Sequence, residues 1–387
     1  MRITAIRETA VPLHGDVANS LVNFSGHTIS LVAVVSDVIR DGRPVAGVAF
    51  DSIGRFAQSG ILRDRMIPRV LAAEPDSLLG EQDRLDPAAV LARAMRDEKP
   101  GGHGDRAAAA GALELACWDL NAKLDDEPAY VRIARHFARA PVTGGVPVYA
   151  AGGYYYPDGG IPQLRAEIDG YREMGYGAYK MKIGGAPLAD DLARIEAVID
   201  IAGGADRVAV DANGRFDRSA AVDWGRALSP YGLRWYEEAG DPLDFDLNHR
   251  LTDSYAGAVA TGENLFSVPD VTNLVRFGGM RRNLDIFQMD AGLSYGLTEY
   301  ARMLEVLEEH GFDREFAFPH GGHLLNLHIV AGLGLGGCES YPGVFQPFGG
   351  YSEQCALTDG RIAPTDAPGF GLEQKSGLSD LITDLLA

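Results

Sequence analysis

The sequence predicts an α/β protein built on a (β/α)8-type barrel, with a smaller α+β unit in front of it. Two observations favour this fold. From about residue 145 onward, short apolar segments alternate with amphipathic helical patterns, which is the order of elements in a parallel barrel. Six of these segments also end in an ionisable side chain, at intervals of 26 to 30 residues, and this interval suits one strand plus its helix. A doubly wound open sheet is the alternative, but no Gly-x-Gly-x-x-Gly turn opens a helix.

The N-terminal part of the chain has the pattern of strands followed by helices. An antiparallel meander is predicted for residues 3–11, 28–38 and 43–50, with a turn at Asp41-Gly42. Helical patterns follow near residues 60–73, 87–97 and 105–124. We therefore predict a capping domain at residues 1–125, a barrel at 126–355, and a C-terminal tail at 356–387 that packs back on the capping domain.

The barrel is predicted from eight strands with helices between them. The expected strands are 146–151, 178–183, 207–211, 234–237, 258–263, 286–290, 316–320 and 336–340. The expected helices include 161–174, 188–199, 218–229 and 297–309. In a parallel barrel the carboxyl ends of all strands lie on one face, so the side chains that end these strands converge on a single mouth.

The balance of charge is strongly acidic. The 387 residues include 54 Asp and Glu against 35 Lys and Arg, which gives a formal net charge of −19. This charge argues against nucleic acid or an anionic membrane as a partner, because both bind positive surfaces. An anionic substrate would need local positive charge, and a bound cation would supply it.

The cysteines and the N-terminus bear on the compartment. Cys117, Cys338 and Cys355 are scattered and odd in number, which suggests no disulfide framework and fits a reducing compartment. Residues 1–8 carry charges where a signal peptide needs an apolar core. Apolar runs such as residues 31–35 are too short to span a bilayer. We expect a cytoplasmic protein.

Three carboxylates end neighbouring strands of the predicted barrel. Asp211, Glu237 and Glu263 supply oxygen ligands only, a set that suits a hard cation such as Mg²⁺ with water and substrate completing the octahedron. Each residue alone is explained as a surface or capping carboxylate, but three at one mouth would repel one another without a cation. Asn213 shares a strand face with Asp211 and is a candidate to support the site. Glu238 alternates to the other face and is a weaker candidate.

Two lysines lie on one face of a single predicted strand. Side chains alternate along a strand, so Lys180 and Lys182 point the same way. Taken alone, an edge strand with solvated lysines would explain them. Beside a second cation and a metal, however, the charged form of Lys182 is disfavoured, which predicts a neutral amine that acts as a base near pH 7.

An aspartate–histidine pair is predicted across the mouth from the lysines. Asp290 and His320 end consecutive strands, and an aspartate that holds one imidazole nitrogen fixes the tautomer of a general acid or base. His323, in the following loop, is a competitor. Metal, base and acid together predict abstraction of a proton α to a carboxylate, with the metal stabilising the enediolate. Reprotonation by His320 would racemise the substrate, and donation to a β-hydroxyl would dehydrate it.

These residues resemble the enolase superfamily and, within it, the mandelate racemase group. The resemblance rests on Lys180-Met181-Lys182, Asp211-Ala212-Asn213, Glu237, Gly262-Glu263-Asn264, Asp290, His320 and the helix at 112–120. It implies a modified TIM barrel, (β/α)7β, with an N-terminal α+β capping domain that the C-terminal tail completes. It also implies one Mg²⁺ per active site and a homo-oligomer.

Longer strings narrow the resemblance to the D-tartrate dehydratases of this group. These strings are residues 98–104, 149–157, 182–187 and 319–323, and the segment at 15–19 carries Asn19. The resemblance implies Mg²⁺-dependent dehydration of D-tartrate to oxaloacetate, with Lys182 as the base and His320 as the acid. The candidate contacts to this small dianionic hydroxy-diacid are Asn19, Lys99, Lys180, Asn213, His323 and Glu339. The alternatives are a dehydratase, racemase or epimerase for another hydroxy-diacid or acid sugar, and a barrel that binds ligands without catalysis.

Overall fold

The computed structural model describes residues 1–15, 17–156 and 160–387. Asp16 and Pro157, which belong to two of the segments quoted above, lie outside the described residues. The chain begins with an antiparallel sheet in the order β1-β2-β3, as the meander predicts. Its strands are β1 (Ile3–Pro12), β2 (Thr28–Arg40) and β3 (Arg43–Phe50). Asp41 and Gly42 turn the chain between β2 and β3 with φ values of 52° and 77°.

Helices follow this first sheet and cover it. They are α1 (Ser59–Ile61), a π-helical turn (Leu62–Met66), α2 (Ile67–Leu71), two 3₁₀ turns (Pro75–Leu78 and Glu81–Asp83), α3 (Pro87–Ala94), α4 (Asp105–Leu124) and α5 (Ala129–His136). Nearly every residue of α4 is buried. Gly47 of β3 allows this close packing, because a Cβ atom there would lie 2.1 Å from the carbonyl oxygen of Ala116.

Parallel strands form the barrel, and it closes by pairing β10 with β4. The strands are β4 (Val146–Gly152), β5 (Tyr179–Lys182), β6 (Val208–Asp211), β7 (Tyr236–Glu237), β8 (Val259–Thr261), β9 (Ile286–Phe287) and β10 (Cys338–Ser340). The helices are α6 (Gly160–Glu173), α7 (Leu188–Ala202), α8 (Arg218–Leu228), α9 (Phe245–Ser254), α10 (Val268–Phe277), α11 (Leu297–Glu309) and α12 (Leu324–Leu333), with 3₁₀ turns at Ala205–Arg207, Ser229–Tyr231 and Arg314–Phe316. The architecture is a modified (β/α)7β barrel with an α+β cap.

Several barrel strands are shorter than the sequence predicts. β8 and β9 end before Glu263 and Asp290, and the strand predicted at 316–320 is reduced to one bridge between Phe287 and Ala317. A parallel strand is buried on both faces, so its apolar pattern does not show where the ladder of hydrogen bonds ends. The candidate site residues therefore lie partly in turns beyond the strand ends.

The end of the chain returns to both the barrel and the first sheet. β11 (Leu357–Thr358) and β12 (Arg361–Ile362) form a hairpin, and β12 pairs antiparallel with the start of β4. A 3₁₀ turn (Leu372–Gln374) and α13 (Leu378–Leu386) follow, and Arg7 of β1 donates to the carbonyl of Leu385 at 3.0 Å. Over the described part of the chain, none of the helices combines the length and the hydropathy that crossing a membrane requires.

We predict that Gly47→Ala destabilises the protein by about 3 kcal/mol or more, the upper end of the usual cost of overpacking. The added methyl group would meet the backbone of α4 at Ala116 and Leu120, where no side-chain rotation relieves the contact. Urea unfolding followed by circular dichroism measures the loss. Gly26→Ala is the matched control, because a Cβ at Gly26 meets nothing within 4 Å. Equal stability of the two variants would contradict the packing.

Candidate active site

A polar cavity of about 190 Å³ opens at the carboxyl ends of the barrel strands. One wall comes from the first 55 residues of the chain and the others from the barrel. The described lining residues are Asn19, Val22, Phe24, Ile53, Gly54, Arg55, Tyr154, Lys182, Asn213, Glu238, Glu263, Asn264, His320, Tyr341 and Phe345. Lys182 and His320 both line this cavity, as the convergence of strand ends predicts.

The three predicted metal ligands meet at one point. Asp211 ends β6, Glu237 ends β7, and Glu263 follows β8, while parallel pairing holds Lys182 beside Asp211 and Asp211 beside Glu237. One carboxylate oxygen from each ligand lies within 4.8 Å of the others. Asp211 and Glu237 are buried, and Glu263 keeps 17% of its side chain exposed toward the cavity. This is a preformed set of three hard oxygen ligands.

Glu237 is held in place by three donors. Its Oε1 receives the Lys180 ammonium at 2.6 Å, and its Oε2 receives Trp235 Nε1 and Gln288 Nε2, both at 2.8 Å. A carboxylate has about four lone-pair sites, so one remains to bind a cation. Burial, with the charge of Asp211 next in size, raises the pKa of Glu237 to about 8 against the opposing charge of Lys180. The three donors thus hold the Glu237 carboxylate in one orientation and leave one of its lone-pair sites open for a cation.

The balance of charged groups around the cavity also favours a bound cation. Six carboxyl groups lie in or behind the wall of the cavity, against the two lysines, His320 and Arg55. The six are Asp211, Glu237, Glu238, Glu263, Asp290 and Glu339. A divalent cation would make up the difference and would favour the ionised forms of Glu237 and Glu238, whose pKa values are raised first by burial and then by neighbouring carboxylates. The donor set therefore fits one Mg²⁺, held by Asp211, Glu237 and Glu263.

Lys182 lies between the metal site and the cavity. Its Nζ is 2.5 Å from Asp211 Oδ2, and it faces the Tyr154 ring at 5.6 Å from the centroid. Burial and Lys180 lower the pKa of Lys182, but the charge of Asp211 outweighs them and raises it above its ordinary value. The expectation of a depressed lysine pKa includes a metal bound beside Lys182, and it stays a prediction for the metal-bound protein; without the metal, the contact with Asp211 determines the direction.

Lys180 does not reach the cavity. Its side chain is 1% exposed, and its Nζ forms ion pairs with Glu237 Oε1 at 2.6 Å and Glu339 Oε1 at 2.7 Å. Those carboxylates raise its pKa well above its ordinary value despite burial. The expectation of a direct substrate contact is not met, because both neighbouring carboxylates already bind the ammonium.

Asp290 and His320 form the predicted pair. His320 Nδ1 is 3.2 Å from Asp290 Oδ2, while its Nε2 is 3.2 Å from the Tyr341 hydroxyl and 3.7 Å from Glu263. Burial alone would lower the pKa of His320, but the Glu263 charge and the Asp290 hydrogen bond raise it to about 9. The imidazolium form, which can donate a proton, is therefore favoured at neutral pH.

Two of the other predicted substrate contacts face the cavity. Asn19 lines it, although its Oδ1 accepts the backbone N–H groups of Leu21 and Val22 at 2.8 and 2.7 Å. Asn213 also lines it, from a turn with φ 51° rather than from the predicted strand face, and its backbone N–H donates to Asp211 Oδ1 at 2.8 Å.

Three predicted substrate contacts are not brought to the described lining of the cavity. Lys99 is exposed, in the loop before α4. His323 is buried, caps the start of α12 and lies 2.8 Å from the Ser52 hydroxyl. Glu339 is 1% exposed and holds Lys180, the Tyr341 hydroxyl and the backbone N–H of Gly321. These two buried residues are engaged by protein groups, which sequence spacing alone does not reveal.

Five polar lining residues are not among the site residues that the sequence predicts: Arg55, Tyr154, Glu238, Asn264 and Tyr341. Tyr341 donates to Glu339 at 2.9 Å, and Arg55 donates to Asn264 Oδ1 at 2.5 Å. Glu238 turns toward the cavity because its φ is 39°, which breaks the alternation of a strand. Tyr154 faces Lys182 from the end of β4. Two of these residues, Asn264 and Tyr154, belong to the sequence segments on which the family resemblance rests.

Comparison with known proteins places this fold and site in one family. Residues 163–377 match the family described as "Enolase C-terminal domain-like", so the chain belongs to that family. It is similar to the L-talarate/galactarate dehydratase of Salmonella typhimurium, with 28% identity over 88% of this chain and 80% of that protein. It is also 30% identical to the 3,6-anhydro-alpha-L-galactonate cycloisomerase of Streptomyces coelicolor, over 70% of each chain.

A solved structure shows the same architecture with ligands. The L-talarate dehydratase of Polaromonas sp. JS666, complexed with Mg and L-glucarate, has a TM-score of 0.76 and 25% identity, covering 98% of this chain and 96% of that chain. The Mg of this neighbour agrees with the carboxylate triad, so Mg²⁺ is the cofactor that the site fits.

We predict that Mg²⁺ raises the melting temperature of the wild-type protein, and that Glu263→Gln removes most of this effect. A ligand at a hundredfold excess over its Kd stabilises a folded protein by about 2.7 kcal/mol, and loss of one of three charged ligands weakens that binding. Differential scanning fluorimetry with increasing MgCl₂ measures the shift. Glu305→Gln, an exposed change on α11, is the control. A full Mg²⁺ shift in Glu263→Gln would exclude Glu263 as a ligand.

Proposed function

We propose that this protein is a Mg²⁺-dependent dehydratase of a small hydroxy-diacid, and that D-tartrate, converted to oxaloacetate, is its substrate. The observation that carries the proposal is the placement of Lys182 and His320 in one cavity beside the carboxylate triad. The talarate and galactarate dehydratases to which the chain is similar support the dehydratase class. The tartrate assignment is supported by the longer strings alone.

The two proton transfers fall to different sides of the cavity. A Mg²⁺ held by Asp211, Glu237 and Glu263 would supply positive charge to stabilise the enediolate of the substrate carboxylate. Lys182 Nζ removes the C2 proton, and its proton affinity is reduced when Asp211 shares its charge with the cation. His320 Nε2 then donates its proton to the departing C3 hydroxyl, which leaves as water, and the enol product tautomerises to the keto acid. Asp290 keeps the other ring nitrogen in its Nδ1–H form.

In this proposal, the remaining polar groups of the cavity bind the second carboxylate of the diacid. Arg55 is the cation on the capping side, with Asn19 and Asn213 as further hydrogen-bonding groups. Lys99 is not among the described lining residues. The substrate contact that the resemblance implies for it stays a proposal, and it would require the loop of Lys99 to close over the cavity.

We also propose the division into capping domain, barrel and tail, a homo-oligomeric state, and a cytoplasmic location, as the sequence predicts.

A second candidate function has a specific observation in its favour. The L-talarate dehydratase of similar fold is complexed with Mg and with L-glucarate, a six-carbon diacid. Dehydration of an acid sugar would use the same Lys182 and His320, with the longer chain reaching toward Arg55 and Asn19. Racemisation would use the same groups and differ only in where His320 returns its proton.

A substrate screen separates these possibilities. We predict that, with Mg²⁺, the protein dehydrates D-tartrate to oxaloacetate and forms less or no keto-acid product from L-tartrate, meso-tartrate, galactarate and glucarate. The reason is that one cavity presents its base and its acid to a substrate with a single handedness. A coupled assay for keto-acid formation measures the product. EDTA should abolish activity and added Mg²⁺ should restore it. Faster turnover of a six-carbon diacid would favour the second candidate.

Two substitutions separate the proton transfers. We predict that Lys182→Met lowers kcat on the order of 10³-fold or more, the contribution expected of a general base, and also stops deuterium exchange at C2. His320→Asn should lower dehydration similarly but retain the exchange, because Lys182 is intact. Mass spectrometry of substrate recovered from D₂O measures exchange. His249→Asn, an exposed change on α9, is the control. Exchange by Lys182→Met at the wild-type rate would refute the base assignment.

A further inference from the structure

The segment after β3 reaches the His–Asp pair from the capping side. Ile53, Gly54 and Arg55 line the cavity, while Ser52 is buried beneath them. The Ser52 backbone N–H donates to the carbonyl of Gly292 at 3.3 Å, in the turn that follows Asp290. A serine from the first 52 residues of the chain is therefore docked against the turn that carries the aspartate of the pair.

His323 fixes the direction of the hydrogen bonds around Ser52. Burial, the largest effect, lowers the pKa of His323 to about 4, so the ring is neutral near pH 7 and carries one proton. Its Nδ1 accepts the backbone N–H of Asn326 at the start of α12, so the proton sits on Nε2. Nε2–H therefore donates to Ser52 Oγ, 2.8 Å away, and leaves the serine's own proton free for another acceptor.

The Asp290 carboxylate lies beside the Ser52 hydroxyl. Burial, the largest effect, raises the pKa of Asp290, but the hydrogen bond from His320, the charge of His320 and the Ser52 hydroxyl outweigh it and lower that pKa below its ordinary value. Gly321 shows how closely these groups approach one another. A Cβ atom on Gly321 would lie 2.6 Å from Ser52 Oγ and 2.7 Å from Asp290 Oδ2. Its φ of 93° also favours glycine at this position.

We propose that Ser52 is a positioning residue for the acid of the reaction, with His323 setting the direction of a hydrogen-bond chain. The chain runs from His323 through Ser52 to Asp290 and keeps that carboxylate an acceptor, so His320 holds one proton at Nδ1 and presents Nε2 to the cavity. His323 thereby acts on the chemistry without touching substrate. This inference rests on the proposed dehydration for its catalytic consequence, although the hydrogen-bond chain itself does not.

The first test separates the acid from the base. With D-tartrate and Mg²⁺, Ser52→Ala should lower kcat for dehydration about 10- to 100-fold, a cost seen when a hydrogen bond behind a catalytic ligand is lost. KM should stay near the wild-type value, because Ser52 is not among the described lining residues. Deuterium exchange at C2 should continue at the wild-type rate, since Lys182 is untouched. A parallel fall in exchange and dehydration would indicate structural damage and overturn the proposal.

Matched variants test whether Ser52 and His323 act through one chain. His323→Asn keeps a good helix-capping side chain before α12 but loses the contact with Ser52. It should reproduce the Ser52→Ala loss, and the double variant should lose no more than the worse single variant. Ser36→Ala, which removes a buried hydroxyl bonded to Val45 in the first sheet, should leave dehydration unchanged. Multiplicative losses in the double variant would contradict the shared chain.

A spectroscopic test needs no turnover. In protein labelled with ¹⁵N-histidine, one neutral histidine should be an Nε2–H tautomer in the wild type, and its signal should vanish in His323→Asn. Ser52→Ala should shift this signal and also that of His320, which is assigned by its loss in His320→Asn. Unchanged His320 signals in Ser52→Ala would overturn the proposal. If the wild type does not dehydrate D-tartrate, the proposed function fails, and this experiment still decides whether the chain exists.

Discussion

A buried ammonium group connects the two halves of the site. Lys180 lies between Glu237 on β7 and Glu339 on β10, with hardly any exposed surface. Removing one member of such a buried set leaves uncompensated charge and is costly, on the order of 3–5 kcal/mol. Glu339, whose pKa is lowered to about 2 against the effect of burial, in turn holds the Tyr341 hydroxyl and the backbone at Gly321. The metal wall and the His320 wall therefore share one ion-pair network.

Because the mouth still has more carboxyl groups than cations, the site is incomplete without a metal. The pKa of Glu237 is raised to about 8, and that of Glu238 well above its ordinary value, mainly by burial with carboxylates nearby. Bound Mg²⁺ would favour the ionised form of these groups and release protons, so metal affinity and pH are linked. Because the chain has a net charge of −19, an anionic substrate also needs local positive charge at the site, and a bound cation together with Arg55 would supply it.

The sequence predicts the part of the site that repeats with the barrel period. Lys182, Asp211, Glu237 and His320 converge because each follows one strand, and that rule needs no knowledge of packing. The rest depends on contacts between residues remote in sequence, such as Ser52 with His323, which are 271 residues apart and leave no local pattern. The prediction for Glu238 differs from the structure for another reason. β7 ends at Glu237, and the positive φ of Glu238 turns its side chain toward the cavity instead of to the opposite face of a strand.

The capping segment links substrate recognition to the chemistry. Arg55 offers positive charge to the cavity, and Ser52, three residues earlier, contacts the turn of Asp290 and the ring of His323. A displacement of this segment would remove a cation from the substrate and a hydrogen bond from the acid together, whereas Lys182 on β5 would keep its contact with Asp211. In the proposed reaction the base comes from the barrel, whereas the acid also depends on a contact that the capping segment makes with the turn of Asp290.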